Sequence, residues 1–180
     1  KRVGDDKKMN TKSYVLVGMF LGDEGKGTFG EYIASSNNIK NFVRYNGGSQ
    51  ASHTVITKEG KIHKFSQLGS GSFIDGSKTY LSKNTVVNPI NLLEEVLQFS
   101  NKVNCSKEEL LQRVYIDKNS YIVTPYHKLI KKLRELSNLY PRIGSVGTGV
   151  SEVLKLLNEE DLGIQMKYFN VESKNILKEK

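Results

Sequence analysis

The sequence predicts an α/β fold in which a central, mostly parallel sheet is flanked by helices. Short apolar runs rich in β-branched and aromatic residues alternate with helical patterns, and glycine-rich loops follow two of these runs. The length of 180 residues suits one domain of ordinary size, or at most two small ones. We expect residues 1–12 to be a flexible lead-in, 13–157 to form the α/β domain, and 158–180 to be a polar tail or the start of a missing second half.

The strand candidates share an enrichment in β-branched and aromatic residues between turn-forming residues. In chain order they are Ser13–Phe20, Asn41–Tyr45, His53–Lys58, Lys61–Ser66, a part of Lys78–Val87, Val114–Ile116 and Tyr121–Val123. Glu59-Gly60 is a typical turn pair, so it predicts a hairpin between the third and the fourth of these stretches.

Helix starts are indicated by capping side chains that precede apolar residues at helical spacing. Asn88-Pro89 and Thr124-Pro125 each place a cap before a proline at the first helical position, and Ser106 forms a capping-box pattern with Glu109. Shorter helical patterns cover Thr28–Ser36 and the residues from Val150 onward. The apolar residues expected to face the core are Ile90, Leu93, Val96 and Leu97 in the first proline-started helix, and Leu129, Leu133 and Leu136 in the second.

Composition narrows the classes of function. The formal net charge is +8, but 22 of the 27 basic residues are lysines, and the five arginines form no run. Arginine is the preferred contact for bases and backbone phosphates, so we do not expect a nucleic-acid partner. A membrane span of about 20 apolar residues is absent from the sequence. Cys105 is the single cysteine and cannot form an internal disulfide, and we expect a cytoplasmic protein.

The first candidate site is the loop LGDEGKGT, which lies between the first predicted strand and the first predicted helix. Amides of a glycine-rich loop before a helix bind anions, and Lys26 adds a positive charge. Asp23 supplies a carboxylate that can hold Mg²⁺ or accept a proton. A helix-capping turn without a ligand is the alternative. The agreement of strand, loop, lysine and helix favours a P-loop-like phosphate site that includes Glu24, Gly25, Gly27 and Thr28.

The second candidate site is the loop NGGSQASHT, residues 46–54, which follows the second predicted strand. Ligands of open α/β sheets bind at the carboxyl ends of the strands, so both loops are expected to face one crevice. His53 titrates near neutral pH and could act there as an acid. His63 and His127 have no such setting, and we interpret them as structural.

With these loops in place, the sequence resembles the adenylosuccinate synthetase family. The pattern VLVGxxxGDEGKG is followed by VRYxGGxxAxHTV, and NTVVNPINLLEEV, YIVTPYHKLIKKLRE and RIGSVGTGV continue the resemblance in order. It covers roughly Tyr14 to Val150. Members of the family join IMP to L-aspartate with GTP and Mg²⁺, while phage relatives that act on dGMP share the scaffold.

The resemblance implies roles for the loop residues. Asp23 corresponds to the general base that removes the N1 proton of IMP and also contacts Mg²⁺, so that O6 attacks the γ-phosphate of GTP. His53 corresponds to the general acid, and Lys26 with the amides of residues 24–28 corresponds to the phosphate cradle. The phage enzymes often lack the loop aspartate, so the presence of Asp23 favours IMP as the purine nucleotide.

Several positions depart from the family pattern. Ser52 replaces the glycine whose carbonyl reaches the metal, and Gln50 replaces the asparagine that contacts the purine nucleotide. In the third loop, Ser145 and Val146 stand at positions that bind the nucleotide, but valine lacks the hydroxyl of the family's threonine. Thr148 replaces an arginine of the same loop.

Length is the largest departure, because family chains are markedly longer and their later part binds aspartate and guanine. The chain begins at Lys1 rather than methionine, so we expect residues upstream to be missing or removed. One expectation is a GTP-dependent ligase with GTP, IMP and L-aspartate as partners and Mg²⁺ as cofactor, completed by a longer chain, a homodimer or a partner chain. The alternative is a truncated, non-catalytic nucleotide-binding or structural module.

Overall fold

The computed structural model of the chain describes residues 12–20, 22–137, 147–160 and 163–169. Within these ranges the strands are β1 (Asn41–Arg44), β2 (Gly47–Gly48), β3 (His53–Ile56), β4 (Ile62–Phe65), β5 (Lys78–Leu81), β6 (Thr85–Val86) and β7 (Val114–Ile116). The α-helices are α1 (Lys26–Asn37), α2 (Pro89–Ser100), α3 (Lys107–Gln112), α4 (Pro125–Leu136) and α5 (Val150–Glu160), and a 3₁₀ turn spans Met166–Phe169.

The predicted α/β class is confirmed by parallel strand pairing and flanking helices. Strands β1, β5 and β7 form a parallel sheet in that order, with Phe42 opposite Thr79 and Tyr80 opposite Tyr115. Strands β2 and β6 form a second parallel pair, while β3 and β4 form the predicted antiparallel hairpin. Parallel neighbours require crossover connections, and helices α2 and α3 supply the one between β5 and β7.

The strand predicted at Ser13–Phe20 is wrong. This stretch pairs with no strand of the described residues, and its apolar side chains are exposed, with Val15 at 84% and Phe20 at 86%. It runs antiparallel to α1 instead: the Tyr14 hydroxyl donates to Asn37 Oδ1 at 3.0 Å, and Leu16 reaches Gly30. Apolar composition fixes a strand only where a neighbouring strand offers free N–H and C=O groups, and the composition alone cannot supply that neighbour.

The main core lies around the β3–β4 hairpin and the buried face of α2. Its fully buried members include Val55, Phe65, Leu81, Val87, Val96, Phe99 and Ile122. Phe65, Phe73 and Phe99 pack in T-shaped pairs with ring centroids 5.1–5.6 Å apart. Such pairs stabilise a core beyond the area they bury, so the hairpin that begins at His53 is firmly anchored.

The predicted helix starts are confirmed. Asn88 Oδ1 accepts from the Asn91 amide at 3.2 Å, and Ser106 Oγ accepts from the Glu109 amide at 3.2 Å. At the start of α4, His127 Nδ1 accepts from the Thr124 amide at 3.0 Å. These caps satisfy amides that have no partner within their own helix.

The predicted inward faces of α2 and α4 are largely wrong. Only Val96 of the expected α2 face is buried, and the buried set is Leu92, Glu95, Val96 and Phe99. On α4, Leu129, Leu133 and Leu136 are 53–66% exposed, while His127 is buried. Helix α4 turns its polar side toward α5, where Arg134 pairs with Glu152 at 3.3 Å. Periodicity identifies an apolar stripe but does not reveal which neighbour it meets.

The segment Tyr121–Val123 forms single bridges instead of a strand, with Ile122 pairing in parallel with Val87. Strand β7, helix α3 and helix α5 lie where the sequence predicts them. In the described ranges, no helix combines the length and the apolar character needed to cross a bilayer.

Candidate functional site

The first glycine-rich loop makes a sharp turn into α1. Gly25 precedes the helix with φ of +71°, and Asp23 also lies in the left-handed region with φ of +51°. Aspartate tolerates this conformation better than most residues, although glycine remains the easiest choice. The turn leaves Asp23 and Thr28 exposed, Lys26 half-buried and Gly27 fully buried.

Close packing of Gly27 joins the first loop to the second. A Cβ built on Gly27 would lie 2.8 Å from the Cβ of His53 and 2.9 Å from the carbonyl oxygen of Thr54. Only glycine therefore allows the start of α1 to rest on the start of β3. This contact brings Lys26 and His53 to one place in the fold, although they lie 27 positions apart.

Burial and two neighbouring positive charges change the pKa of His53. The side chain is half-buried, and burial is the largest cause that lowers its pKa below 6.5. The positive charges of Arg44 and Lys26 lower the pKa further. Because its pKa lies below 6.5, the imidazole is neutral at pH 7, and a nearby phosphate charge would favour its protonated form.

Arg44 supports the second loop through a hydrogen bond to its backbone, a role that the sequence analysis missed. Its Nη2 donates to the carbonyl of Ala51 at 2.7 Å, and the Thr85 hydroxyl donates to the Arg44 carbonyl at 2.7 Å. Burial lowers the pKa of Arg44, and the Glu95 carboxylate partly offsets that effect. A charged residue at the end of a strand, directly after the apolar pair Phe42-Val43, was the signal that could have identified it.

A buried polar network supports Arg44 in turn. Glu95 is 6% exposed and accepts from the amides of Ser66 and Gln67 at 2.8 and 2.7 Å. Burial raises the pKa of Glu95, while these amides and Arg44 oppose the rise. Gln67 exchanges hydrogen bonds with the backbone of Asn88 at 2.8 and 2.9 Å. These hydrogen bonds connect α2 and its cap residue Asn88 to the segment that follows β4.

The other predicted site residues are placed as follows. Ser52 is half-buried beside His53, and Gln50 is exposed, with its Oε1 close to Gly48. Glu24 pairs with Lys26. Ser145 and Val146 lie outside the described residues.

The site offers oxygen donors of the kind Mg²⁺ prefers. Among the residues described, no three His, Cys, Asp or Glu side chains group closely enough to hold a metal by themselves. Magnesium is often held by one or two carboxylates together with substrate phosphates, and the Asp23 carboxylate and the Ser52 carbonyl are oxygen ligands of that kind.

The structural interpretation of the other two histidines agrees with their surroundings. His63 is 3% exposed and packs between Phe65 and Phe99, with ring centroids 4.6 and 5.0 Å away. Both of its ring nitrogens lack a hydrogen-bond partner among the described residues. His127 forms the cap of α4.

Comparison with known families gives a match over nearly the whole chain. The family model described as adenylosuccinate synthetase matches residues 15–179. Adenylosuccinate synthetase of Chlorobium chlorochromatii is 32% identical over 175 residues, covering 91% of this chain and 38% of the relative. The enzyme of that name from Desulfitobacterium hafniense is 30% identical over 178 residues, covering 92% and 39%. The chain thus spans about two fifths of the length of these curated relatives.

Solved structures give the same picture. The fully ligated adenylosuccinate synthetase of Plasmodium falciparum superposes with a TM-score of 0.72 and 25% identity, over 88% of this chain and 36% of that one. Succinoaminodeoxyadenylate synthetase of cyanophage S-2L, solved with dGMP and dATP, superposes with a TM-score of 0.58 and 19% identity, over 81% and 38%. The second likeness establishes a shared fold only.

Proposed function

Because this chain belongs to the adenylosuccinate synthetase family, we propose that it supplies the phosphate-transfer part of a cytoplasmic, GTP-dependent ligase that joins IMP to L-aspartate. The observation that carries the proposal is the contact of Gly27 with His53, which joins a lysine-bearing glycine loop to a neutral imidazole. The nucleotide-binding unit would span 13–157, and the aspartate and guanine contacts would come from a longer chain or a partner copy.

The reaction would proceed in two steps. Asp23 accepts the N1 proton of IMP, and the O6 oxygen then forms a bond to the γ-phosphorus of GTP as the bond to the bridging oxygen of GDP breaks. The amine of aspartate next attacks C6 and loses a proton to solvent, and the C6–O6 bond breaks so that inorganic phosphate leaves with the O6 oxygen. The result is adenylosuccinate, GDP and phosphate, and the proton held by Asp23 is released to solvent.

Lys26 and His53 would act on the charge that develops during the first step. The ammonium group of Lys26 and the amides of residues 24–28 bind phosphate oxygens, and His53 becomes protonated as the phosphate charge approaches. Mg²⁺, when held by Asp23, the Ser52 carbonyl and phosphate oxygens, would neutralise part of that charge. Gln50 would contact the purine nucleotide, together with Ser145 and Val146 of the third loop.

A second candidate is a non-catalytic nucleotide-binding module of the same family. It is favoured by the replacements at Gln50, Ser52 and Val146. Both candidates bind GTP, so binding alone does not separate them.

Positional isotope exchange separates the two candidates without needing the aspartate site. GTP labelled in its β–γ bridging oxygen is incubated with Mg²⁺ and IMP, and the redistribution of label is followed by phosphorus NMR. Redistribution that requires IMP and is lost in Asp23→Asn supports phosphoryl transfer to O6. Bound GTP without redistribution, in a folded protein, would leave the non-catalytic module as the better account. Glu31→Gln is the control, because Glu31 lies on α1 and its carboxylate binds only Ser35 among the contacts of the described chain.

A further inference from the structure

Glu24 occupies an arrangement of donors that suits an anion. Its Oε1 accepts from the amides of Met19 at 2.7 Å and Phe20 at 2.6 Å, while its Oε2 pairs with Lys26 Nζ. Two backbone amides and one ammonium group thus converge on a single carboxylate. This is the donor set that binds a phosphate oxygen in other glycine-rich loops.

Glycine at position 18 leaves room for the Glu24 carboxylate and the Lys26 ammonium group. A Cβ built on Gly18 would lie 2.2 Å from Glu24 Oε2 and 2.6 Å from Lys26 Nζ. A side chain at position 18 would therefore displace both charged groups. The Glu24 side chain is 19% exposed and that of Lys26 is 33% exposed, so the pair is reached from solvent on one side.

We propose that the Met19 and Phe20 amides and Lys26 form an anion site that Glu24 fills in the ligand-free protein, and that an incoming phosphate displaces the Glu24 carboxylate. The proposal rests on the proposed function in one respect, since it takes the phosphate to be that of a nucleotide substrate. It adds the amides of residues 19 and 20, which precede the loop motif, and it makes Glu24 a competitor of the ligand.

The electrostatics agree with such a competition. The hydrogen bond from Lys26 is the largest cause that lowers the pKa of Glu24, followed by the Phe20 amide. The carboxylate is thus ionised at neutral pH and carries the same sign as the phosphate it would oppose. A phosphate that takes Lys26 and the amides leaves Glu24 free to turn into solvent, because the pair lies at the surface.

Removing the competing charge provides the test. Inorganic pyrophosphate and IMP are titrated separately into the wild type and Glu24→Gln without metal, by calorimetry and by amide NMR. We expect Glu24→Gln to bind one of these ligands about fivefold more tightly, the effect of one like charge at a partly exposed site. The ligand that benefits identifies the source of the phosphate. Glu31→Gln, which removes one carboxylate charge from the neighbouring helix α1, should change the affinity less than twofold.

The NMR measurement decides whether the named amides take part. In the wild type, saturating ligand should shift the Met19 and Phe20 amide signals and raise the pKa of Glu24 toward its ordinary value. Equal or weaker binding in Glu24→Gln, or amide signals of residues 19 and 20 that stay in place with either ligand, would overturn the proposal. A failure of the ligase proposal would differ, because isotope exchange would be absent while these shifts and the tighter binding persisted.

Discussion

At the scale of single residues, substitutions of Lys26 and Asp23 should separate GTP binding from phosphoryl transfer. Lys26→Ala should weaken GTP binding by roughly tenfold to a hundredfold, since a hydrogen bond to a charged group contributes about 1.5–3 kcal/mol. Asp23→Asn keeps the loop backbone and should retain most of the GTP affinity while losing the metal dependence and isotope exchange. Calorimetric titration of GTP with and without Mg²⁺ measures both effects. Equal affinity of wild type and Lys26→Ala would place the phosphate site elsewhere, with the Gly144 to Gly149 loop as the next candidate.

His63 should make the stability of the protein depend on pH. Burial in the aromatic cluster lowers its pKa from 6.5 to about 4, so the unfolded chain binds the proton more readily than the folded one. The stabilising effect of the neutral ring is complete above pH 6.5 and is lost as the pH falls toward 4. We expect a loss on the order of 2–3 kcal/mol over that window.

The measurement for His63 is urea unfolding at several pH values between 7 and 4. His63→Phe should show a shallower decline than the wild type, since the substituted ring cannot bind a proton. The comparison uses the slope with pH and not the absolute stability, so any packing change caused by the larger ring cancels. Parallel curves for the two proteins would contradict this prediction.

At the scale of secondary structure elements, Gly27 controls the contact of α1 with β3. Alanine inside a helix is ordinarily about 1 kcal/mol more favourable than glycine. Gly27→Ala should instead destabilise the protein by about 1–3 kcal/mol, because the new methyl meets the His53 Cβ and the backbone oxygen of Thr54. Those atoms cannot move without shifting β3.

Gly30→Ala is the matched control in the same helix. Its Cβ would lie 2.7 Å from Ser70 Oγ, a hydroxyl that can rotate away. We expect a near-neutral or stabilising effect in thermal unfolding, and His53 should keep its pKa. If Gly27→Ala proves as stable as Gly30→Ala and leaves the His53 pKa unchanged, α1 and β3 do not meet as described.

The elements that the sequence predicted correctly are those set by local chemistry. The caps at Asn88, Ser106 and Thr124 need only side chains within three residues, and the Glu59-Gly60 turn requires only a glycine with φ of +80°. The strand at Ser13–Phe20 and the inward face of α4 were wrong because both depend on distant partners. For the candidate site, motif spacing identified Lys26 and His53, while Arg44 and Glu95 act through hydrogen bonds that no local pattern encodes.

At the scale of the whole molecule, the described chain leaves much apolar surface uncovered. Exposed side chains form rows on α2 (Ile90, Leu93, Leu97) and on α4 (Leu129, Leu133, Leu136), and the exposed apolar side chains within residues 14–20 add to them. Exposed apolar surface on this scale favours association, because each covered side chain is removed from water. The net charge of +8 opposes association through repulsion between copies.

The ionic strength should determine whether apolar attraction or charge repulsion between copies dominates. The screening length falls from about 10 Å at 0.1 M salt to about 3 Å at 1 M, which weakens repulsion but leaves apolar attraction in place. We therefore expect the chain to sediment as a monomer at low salt and to associate as salt rises. The double variant Leu93→Gln/Leu133→Gln keeps the charge and should associate less at every salt concentration. Association that falls as salt rises would show that charged contacts hold the copies together. Association that the double variant leaves unchanged would show that the leucine rows contribute nothing to it.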